Sequence, residues 1–368
     1  MSGINYNSVK KYIDENINTK DKNEFIFYPE DYGAKPINPK TPDDSIDSTT
    51  AFNNMFNDMF NKHPNINSYR VIMSGVYKIG GSPIHFGRSQ LNIPFSANID
   101  WNFKSVYFEG LTRPSLTDRG DNLMMNPLLG SGFYCSYINS EDKYRSVIGF
   151  SEGNNFGLRV GQIYMDNISC YIKTHNESNE SIVNNMCAFD FSNLATFGFS
   201  DLYITTTTAG LNTMKPNMYS VGLYTPKYNN MSSVYGNSLK VMGFGIGAIL
   251  TEHMNLNHLI AVFNREGVNI ENTYPINIGN ATLEHNNIHV KMYPNSAVNF
   301  NVFQTEDIND VKYWFNRTDN MIKGNSTSRV TINQIMCHVW GGNKIPFTYD
   351  TSLKIRYLMD EFGNAKLD

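Results

Sequence analysis

The chain has 368 residues, a formal net charge of −4 and only 17% charged residues. This composition has no basic stripe for nucleic-acid binding and no acidic tail, and no apolar run is long enough to span a membrane. Asn is abundant, with 50 residues. Because Asn tolerates left-handed turns, the composition suits a fold with many turns between short strands.

The N-terminal residues predict a helix. The apolar side chains of Tyr6, Val9, Ile13 and Ile17 fall on one helical face. We expect residues 1–26 either to dock on the body of the protein or to attach it to a larger assembly. The segment has no basic and apolar export signal, so we expect the chain to be made in the cytosol.

A short amphipathic helix is predicted at about residues 48–61. Its apolar residues recur at i, i+3, i+4, i+7 and i+8 and are Phe52, Met55, Phe56, Met59 and Phe60. Asp47 or Ser48 is placed to cap its first turn. A β-rich run from Tyr69 to Ile79 follows the helix.

The order of features from Phe27 to Ile79 resembles a known superfamily. Asp31-Tyr32-Gly33-Ala34, the paired Asp43 and Asp44, the helix and a strand with Gly75-Val76-Tyr77-Lys78-Ile79 are similar to the N-terminal region of pectate-lyase-like proteins, which include bacteriophage tail spikes. The resemblance implies an all-β fold, a right-handed parallel β-helix whose first coil is covered by the short helix. The sequence differs at Pro36–Pro42 and at Met73, where the family usually has a Gly-Asp-Gly-type turn and a proline. Both differences affect loop shape.

Further strands are predicted along the chain, at Leu91–Phe95, Val106–Phe108, Tyr313–Phe315 and Arg329–Ile335. From about Phe156 a unit of apolar, polar and then alternating residues recurs. Its apolar anchors are Ile168, Leu202, Leu239, Leu259 and Ile288, spaced by 34, 37, 20 and 29 residues. Such spacing suits stacked coils whose loops vary in length. We therefore assign residues 27–345 to the β-helix body.

Residues 346–368 are predicted to form a strand, a Gly363-Asn364 turn and a second strand. This hairpin would cap the far end of the β-helix or pair with neighbouring subunits. The four cysteines, Cys135, Cys170, Cys187 and Cys337, have no metal-type spacing, and we expect them to be reduced core residues.

The sequence contains no nucleophile elbow, phosphate loop, Cys-x-x-Cys or His-Glu-x-x-His motif, and no cofactor is predicted. His285 and His289 are four residues apart. On a strand, residues i and i+4 lie ~13 Å apart, too far for one metal ion. We therefore predict no metal site.

Glycan cleavage usually needs two carboxylates, and neighbouring coils of a β-helix lie ~4.8 Å apart. Our candidate catalytic residues are Glu252 and Glu284, with Glu266 as an alternative partner. Glu252-His253 and Glu284-His285 repeat a Glu-His pair 32 residues apart, a spacing we interpret as one coil. Glu306-Asp307 is a further acidic pair. The alternative interpretation is that these acids are solvated charges or a structural ladder.

The resemblance implies a phage tail-spike-like protein that recognises, and in the sharper hypothesis cleaves, a bacterial capsular polysaccharide or teichoic acid. It implies a homotrimer in the virion, made in the host cytoplasm and joined to other tail proteins through the N-terminal segment. One alternative is a non-catalytic receptor-binding or structural tail protein with the same fold. Another is a cell-encoded polysaccharide lyase or hydrolase, which the missing export signal disfavours.

Overall fold

The computed structural model describes residues 10–11, 24–63, 66–80, 84–85, 105–113, 115–117, 124–135, 145–149, 160–173, 186–192, 194–206, 216, 219–226, 233–251, 253–271, 274, 276–307, 319–339 and 342–367. The strands in these ranges are β1 (Glu24–Phe27), β2 (Ser68–Met73), β3 (Val76–Ile79), β4 (Ile84–His85), β5 (Ser105–Gly110), β6 (Ser115–Thr117), β7 (Met124–Asn126), β8 (Ser131–Cys135), β9 (Arg145–Gly149), β10 (Val160–Asp166), β11 (Ile168–Ile172), β12 (Met186–Asp190), β13 (Leu194–Thr206), β14 (Ser220–Tyr224), β15 (Ser233–Met242), β16 (Ile246–Leu250), β17 (His253–Val262), β18 (Glu266–Ile270), β19 (Ile276–Glu284), β20 (Ile288–Met292), β21 (Ala297–Asp307), β22 (Ile322–Lys323), β23 (Arg329–Val339) and β24 (Lys354–Met359). Helix α1 (Thr49–Asn57) continues into a π-helical turn at Asp58–Lys62, and short 3-10 helices occupy Pro29–Tyr32, Pro42–Asp44 and Pro127–Leu129.

Parallel pairing arranges the strands in two sheets. The longer sheet has the order β1-β2-β5-β10-β13-β15-β17-β19-β21-β23-β24, and β3, β8 and β11 form a branch that joins it at β13. The second sheet has the order β4-β9-β12-β14-β16-β18-β20-β22, while β6 and β7 form a separate antiparallel pair. Neighbouring strands come from successive turns of the chain. The fold is therefore a right-handed parallel β-helix, as predicted.

The strand register confirms most of the predicted coil anchors. Ile168 pairs with Leu202, Leu202 with Leu239, and Leu239 with Leu259. The prediction for Ile288 is wrong, because Leu259 pairs with Ala281, whereas Ile288 lies in the second sheet opposite Glu266. Ala281 occupies the position that stacks on Leu259. Because the repeat was defined by large apolar residues, it predicted Ile288 of the next strand instead of this small alanine.

Helix α1 closes the interior of the first coils. Phe52, Met55, Phe56 and Met59 are fully buried, which confirms the predicted apolar stripe for these four residues; the side chain of Phe60 lies outside the described residues. The Phe52 ring contacts the rings of Tyr77 and Phe133, with centroids 5.3 and 5.5 Å away. These contacts cover apolar side chains that the first coil would otherwise expose to water.

The cap of α1 comes from Asp47. Its Oδ1 accepts hydrogen bonds from the backbone N–H of Thr49 and of Gly80, both at 2.9 Å. The hydroxyl of Ser48, the other predicted cap, accepts a bond from the Lys35 N–H instead. Asp47 thereby ties the start of the helix to the end of β3.

The interior forms one apolar cluster that runs along the β-helix. All four cysteines are buried, which confirms their prediction as core residues. Of the predicted strands, Val106–Phe108 lies within β5 and Arg329–Ile335 within β23. Leu91–Phe95 and Tyr313–Phe315 lie outside the described residues.

Only residues 10 and 11 of the predicted N-terminal helix are described, and both are helical. The Lys10 ammonium pairs with the Asp31 carboxylate at 2.5 Å and lies over the Tyr28 ring, 5.0 Å from its centroid. This part of the N-terminal segment therefore contacts the body.

The C-terminal residues form the predicted turn. Tyr357 pairs antiparallel with Lys366, and Gly363 adopts a left-handed φ of 79° between them. Asp360 accepts hydrogen bonds from the backbone N–H of Phe362 and Asn364. On its other side β24 pairs with β23, so the hairpin adds the last strand to the longer sheet.

A buried amide ladder supports one corner of the later coils. Asn264 Oδ1 accepts the Phe244 N–H at 2.9 Å, and Asn286 Oδ1 accepts the Asn264 N–H at 2.8 Å. The side-chain amide of Asn264 also donates to the Val241 carbonyl, and that of Asn286 donates to the Ala261 carbonyl. The ladder satisfies backbone groups that the turn leaves without strand partners.

No helix among the described residues is long and apolar enough to cross a membrane.

Phe56→Asp should lower the free energy of unfolding by more than about 4 kcal/mol, because it removes a buried ring and places a charge against the first coil. Chemical denaturation measures the loss. Asn54→Asp is the matched control, because Asn54 is exposed on the same helix. Equal stability of the two variants would show that α1 does not close the core.

Asn264→Ala should cost about 3 kcal/mol, because it removes the acceptor of the buried Phe244 N–H and the side-chain donor to the Val241 carbonyl. Asn257→Ala is the control, because the Asn257 amide bonds Asn237 on the exposed surface. We expect the control to change stability by less than about 0.5 kcal/mol in the same denaturation experiment. Similar losses at both positions would contradict a special role for the buried ladder.

Candidate functional site

The later coils turn a corner directly after the strands of the longer sheet. Stacked residues at this corner adopt left-handed backbone conformations, with φ of 85° at Gly243, 57° at Phe263 and 52° at His285. Bulky residues rarely adopt this conformation, and here the amide ladder beside them holds the turn. The corner therefore presents the side chains before and after it at fixed positions.

Two glutamates meet at this corner. Thr282 of β19 pairs with Gln304 of β21, and the same register, extended by two residues, places Glu284 beside Glu306. The His285 N–H donates to the Glu306 carbonyl at 3.2 Å, which shows that the strands stay paired there. Both glutamates are partly buried. Side chains opposite each other on paired strands have their Cβ atoms ~4.5–5.5 Å apart.

The environment favours the neutral form of Glu284. Burial, with the nearby charges of Glu306 and Asp307, raises the pKa of Glu284 to about 7. A carboxylic acid with this pKa holds a proton for much of the time at neutral pH. Its neighbour Glu306 supplies a second carboxyl group, and cleavage of a glycosidic bond uses two such groups.

His285 lies directly after Glu284 in the turn. Its ring stacks on Phe263 of the preceding coil, with centroids 5.1 Å apart. Burial lowers the pKa of His285 to about 4, and the charge of Asp307 opposes this effect only in part. The imidazole is therefore neutral at pH 7.

A buried polar group lies behind the glutamates. His289 Nε2 lies 2.7 Å from Thr305 Oγ1 and 3.4 Å from Asp307 Oδ1, and its Nδ1 lies 3.3 Å from the Asn286 amide. His289, Thr305 and Asn286 are fully buried. This group connects the amide ladder to Asp307, one of the charges that act on Glu284.

The column of ionisable side chains continues towards the C-terminal end. Glu306 pairs in register with His338, whose Nε2 lies 3.3 Å from Glu361 Oε1. Glu361 Oε2 in turn lies 3.5 Å from the Lys344 ammonium. We name Glu284, His285, Glu306 and Asp307 the corner cluster. It is the acidic end of this column.

The structure does not bring the predicted catalytic residues Glu284 and Glu266 together. Glu284 lies in the corner cluster, whereas Glu266 pairs with the Lys291 ammonium at 2.7 Å and accepts a hydrogen bond from the Asn269 amide at 2.8 Å. Glu252 lies outside the described residues. Glu266 therefore lies beside a cation and outside the corner cluster.

The predicted stacking of the two Glu-His pairs is wrong. His253 is the first residue of β17 and pairs with Ser233, whereas Glu284 is the last residue of β19 and pairs with Val262. The two pairs therefore lie at different corners of their coils. In this part of the β-helix one coil takes 22 residues, both from Leu259 to Ala281 and from Ala281 to Phe303. A spacing of 32 residues therefore does not bring the two pairs together.

Glu306 is a candidate from the sequence, but its position beside Glu284 on the adjacent coil was not predicted. The signal was present, because these residues are 22 apart, like Ala281 and its partner Phe303. The prediction that His285 and His289 lie on one strand is wrong, since His285 lies in the turn before β20. Among the described residues, no group of three His, Cys, Asp or Glu side chains is placed to hold a metal ion.

No protein family and no curated protein matches the sequence. Among solved structures, the chain is similar to tailspike protein 3 of bacteriophage CBA120, with 10% identity and a TM-score of 0.29 over 98% of this chain. The chain spans 64% of that protein's length. The β-helix described above rests on the strand pairing and not on this similarity.

The corner cluster predicts two opposite effects of pH on stability. The pKa of Glu284 in the folded protein is raised, so its contribution is complete below its unfolded pKa near 4.5 and is lost as pH rises through about 7. The pKa of His285 is lowered, so its contribution is complete above its unfolded pKa near 6.5 and is lost as pH falls through about 4.

Single variants separate the two effects when melting temperatures are measured between about pH 8 and about pH 5. As the pH falls, the wild type should gain stability relative to Glu284→Gln and lose stability relative to His285→Asn. Asn is chosen at 285 because it tolerates the left-handed backbone. Differences that do not change with pH would contradict the shifted pKa values.

Proposed function

We propose that the protein binds and cleaves a polymer of the bacterial surface, with Glu284 and Glu306 as the working carboxylates. The observation that carries this proposal is the stacking of the two glutamates on adjacent coils, where burial and like charge raise the pKa of Glu284 to about 7. The substrate class comes from the resemblance of residues 27–79 to pectate-lyase-like proteins. It comprises capsular polysaccharides and teichoic acids.

For a glycosidic bond, the two carboxyl groups take different roles. Glu284 donates its proton to the leaving oxygen as the bond from the sugar's anomeric carbon to that oxygen breaks. Glu306 attacks the anomeric carbon through a carboxylate oxygen and forms a glycosyl ester. Water then attacks the same carbon, the ester bond to Glu306 breaks, and the water proton passes to Glu284, so the free sugar end is released and both carboxyl groups are restored. Adjacent coils suit the ~5–5.5 Å separation of a retaining enzyme.

A non-catalytic role is the second candidate. The column that begins with Glu284 continues into the His338–Glu361 and Glu361–Lys344 pairs, which are structural contacts of the last coils. On this interpretation the glutamates belong to the same ladder, and the protein binds its receptor without cutting it. Activity measurements distinguish the two candidates.

The biological setting follows from the same resemblance and is part of the proposal. The protein would be a component of a phage tail, made in the host cytoplasm and acting at the bacterial surface. It would assemble as a homotrimer and join other tail proteins through residues 1–26. Its action requires no cofactor, since the two carboxyl groups and water suffice.

Glu284→Gln and Glu306→Gln should each lower the rate of polymer cleavage by about 100-fold or more, because amides cannot donate or accept the proton. The assay is release of reducing ends or phosphomonoesters from purified host wall polymer. Polymer binding should be retained in both variants. The wild-type rate should fall as pH rises above about 7, where Glu284 loses its proton.

Glu266→Gln is the comparison variant, because this carboxylate pairs with Lys291. It should keep the wild-type rate. A wild type that binds cells but releases nothing from any wall fraction would establish the non-catalytic role. An active wild type with active Glu284→Gln and Glu306→Gln variants would place the catalytic site elsewhere.

A further inference from the structure

A second surface feature runs along the first half of the long strands, away from the corner cluster. Register pairing stacks six outward residues on successive coils, and we name this column the polar track: Tyr235, Asn255, Asn277, Asn299, Thr331 and Arg356. At ~4.8 Å per coil, the track is about 24 Å long. It is long enough to contact several units of an extended polymer.

The middle of the track is an ordered row of amides. Asn277 Nδ2 donates to Asn255 Oδ1 at 3.1 Å, and Asn299 Nδ2 donates to Asn277 Oδ1 at 2.9 Å. Each of these bonds uses one N–H and one lone pair of the amides it joins, and an amide has two of each. The row therefore offers donors and acceptors at a fixed repeat without any charge.

One end of the track is aromatic. The Tyr235 side chain is 56% exposed. His253, two residues before Asn255 on β17, stacks with Tyr274 at a centroid distance of 4.4 Å. On the preceding coil Gly198 pairs with Tyr235. The Tyr164 ring lies over Gly198, where a Cβ atom would be only 2.5 Å from the ring, so the glycine leaves room for this third aromatic side chain. Exposed rings beside amides suit sugars, whose C–H faces pack on aromatic faces.

The other end of the track is basic. Arg329 pairs with Lys354, and Arg356 follows on the same side of β24; we name these three exposed side chains the basic end. None of them forms an ion pair with a residue that the structure describes. Three such cations on a chain of net charge −4 favour an anionic ligand at this place.

We propose that the polar track binds an anionic linear glycan along the helix axis, with sugar rings at Tyr235 and an anionic group at the basic end. The proposal rests on the proposed function for the ligand being a surface polymer, and it adds where and by which chemistry that polymer binds. Uronate and phosphate groups share this chemistry.

Two other occupants fit the track less well. A single-stranded nucleic acid carries a phosphate at every unit, whereas the cations lie at one end and the amide row is uncharged. An interface with a second copy of the chain would need apolar and aromatic residues at its centre. The centre of the track consists of amides, which suit the hydroxyl groups of a glycan.

The test measures binding of the full-length protein to three probes: polygalacturonate, poly(glycerol phosphate) and neutral dextran. We expect the wild type to bind at least one anionic probe more tightly than dextran, and the stronger of the two identifies the anionic group. Binding should weaken between about 0.05 M and about 0.5 M salt. Failure to bind either anionic probe would overturn the proposal.

Matched variants locate the binding site. Lys354→Ala with Arg356→Ala should weaken anionic binding roughly tenfold or more and remove most of its salt dependence. Lys35→Ala with Lys40→Ala, which removes two exposed cations elsewhere on the chain, should bind as the wild type. Tyr235→Ala should weaken binding several-fold, whereas Tyr219→Ala, at a 60% exposed tyrosine beside the second sheet, should not.

Three results would overturn the proposal: track variants that bind as the wild type, a single-stranded oligonucleotide that displaces the glycan, or track variants that change the mass of the assembly instead of its binding. Cleavage is followed in the same samples. If the track variants lose binding and the wild type releases no product, the track stands and the proposed cleavage fails. If the wild type cleaves and the track variants bind normally, the track fails and the proposed cleavage stands.

Discussion

Parallel pairing between successive coils is the constraint on which this protein depends. A coil of a β-helix has few long-range contacts of its own and is held by the backbone hydrogen bonds and the apolar interior that it shares with its neighbours. Every coil therefore needs another on each side, and the ends need a cover. Helix α1 covers the apolar interior at one end, and β24 adds the last strand of the longer sheet at the other.

The same constraint controls the surface. Residues at equal positions of neighbouring coils must lie beside each other, so chemistry repeats in columns. An asparagine column is favourable, because each amide both donates and accepts. A column of acids is unfavourable, because like charges lie at the cross-strand distance. Glu284 and Glu306 occupy such a column, and burial, together with this like charge, raises the pKa of Glu284 to about 7.

Two other acids of the later coils lie beside cationic or ionisable partners. Glu266 is neutralised by Lys291, and Glu361 lies beside His338 and Lys344. At the corner cluster the acids accumulate, with Asp307 behind them and a neutral His285 beside them. Because Glu266 and Glu361 lie beside cationic partners whereas the pKa of Glu284 is raised, we place the proposed function at the corner cluster.

The sequence by itself determined the features that depend on local patterns. The period of Phe52, Met55, Phe56 and Met59 defines the buried face of α1 and of the π-helical turn that continues it. The anchors from Ile168 to Leu259 follow the stacking of the coils. Only the tertiary structure decided which side chains meet, because loop lengths change the register from coil to coil. It separated His253 from Glu284, placed Glu306 beside Glu284 and aligned the polar track. Contacts between coils depend on the number of residues in each coil of the β-helix, which local sequence patterns do not reveal.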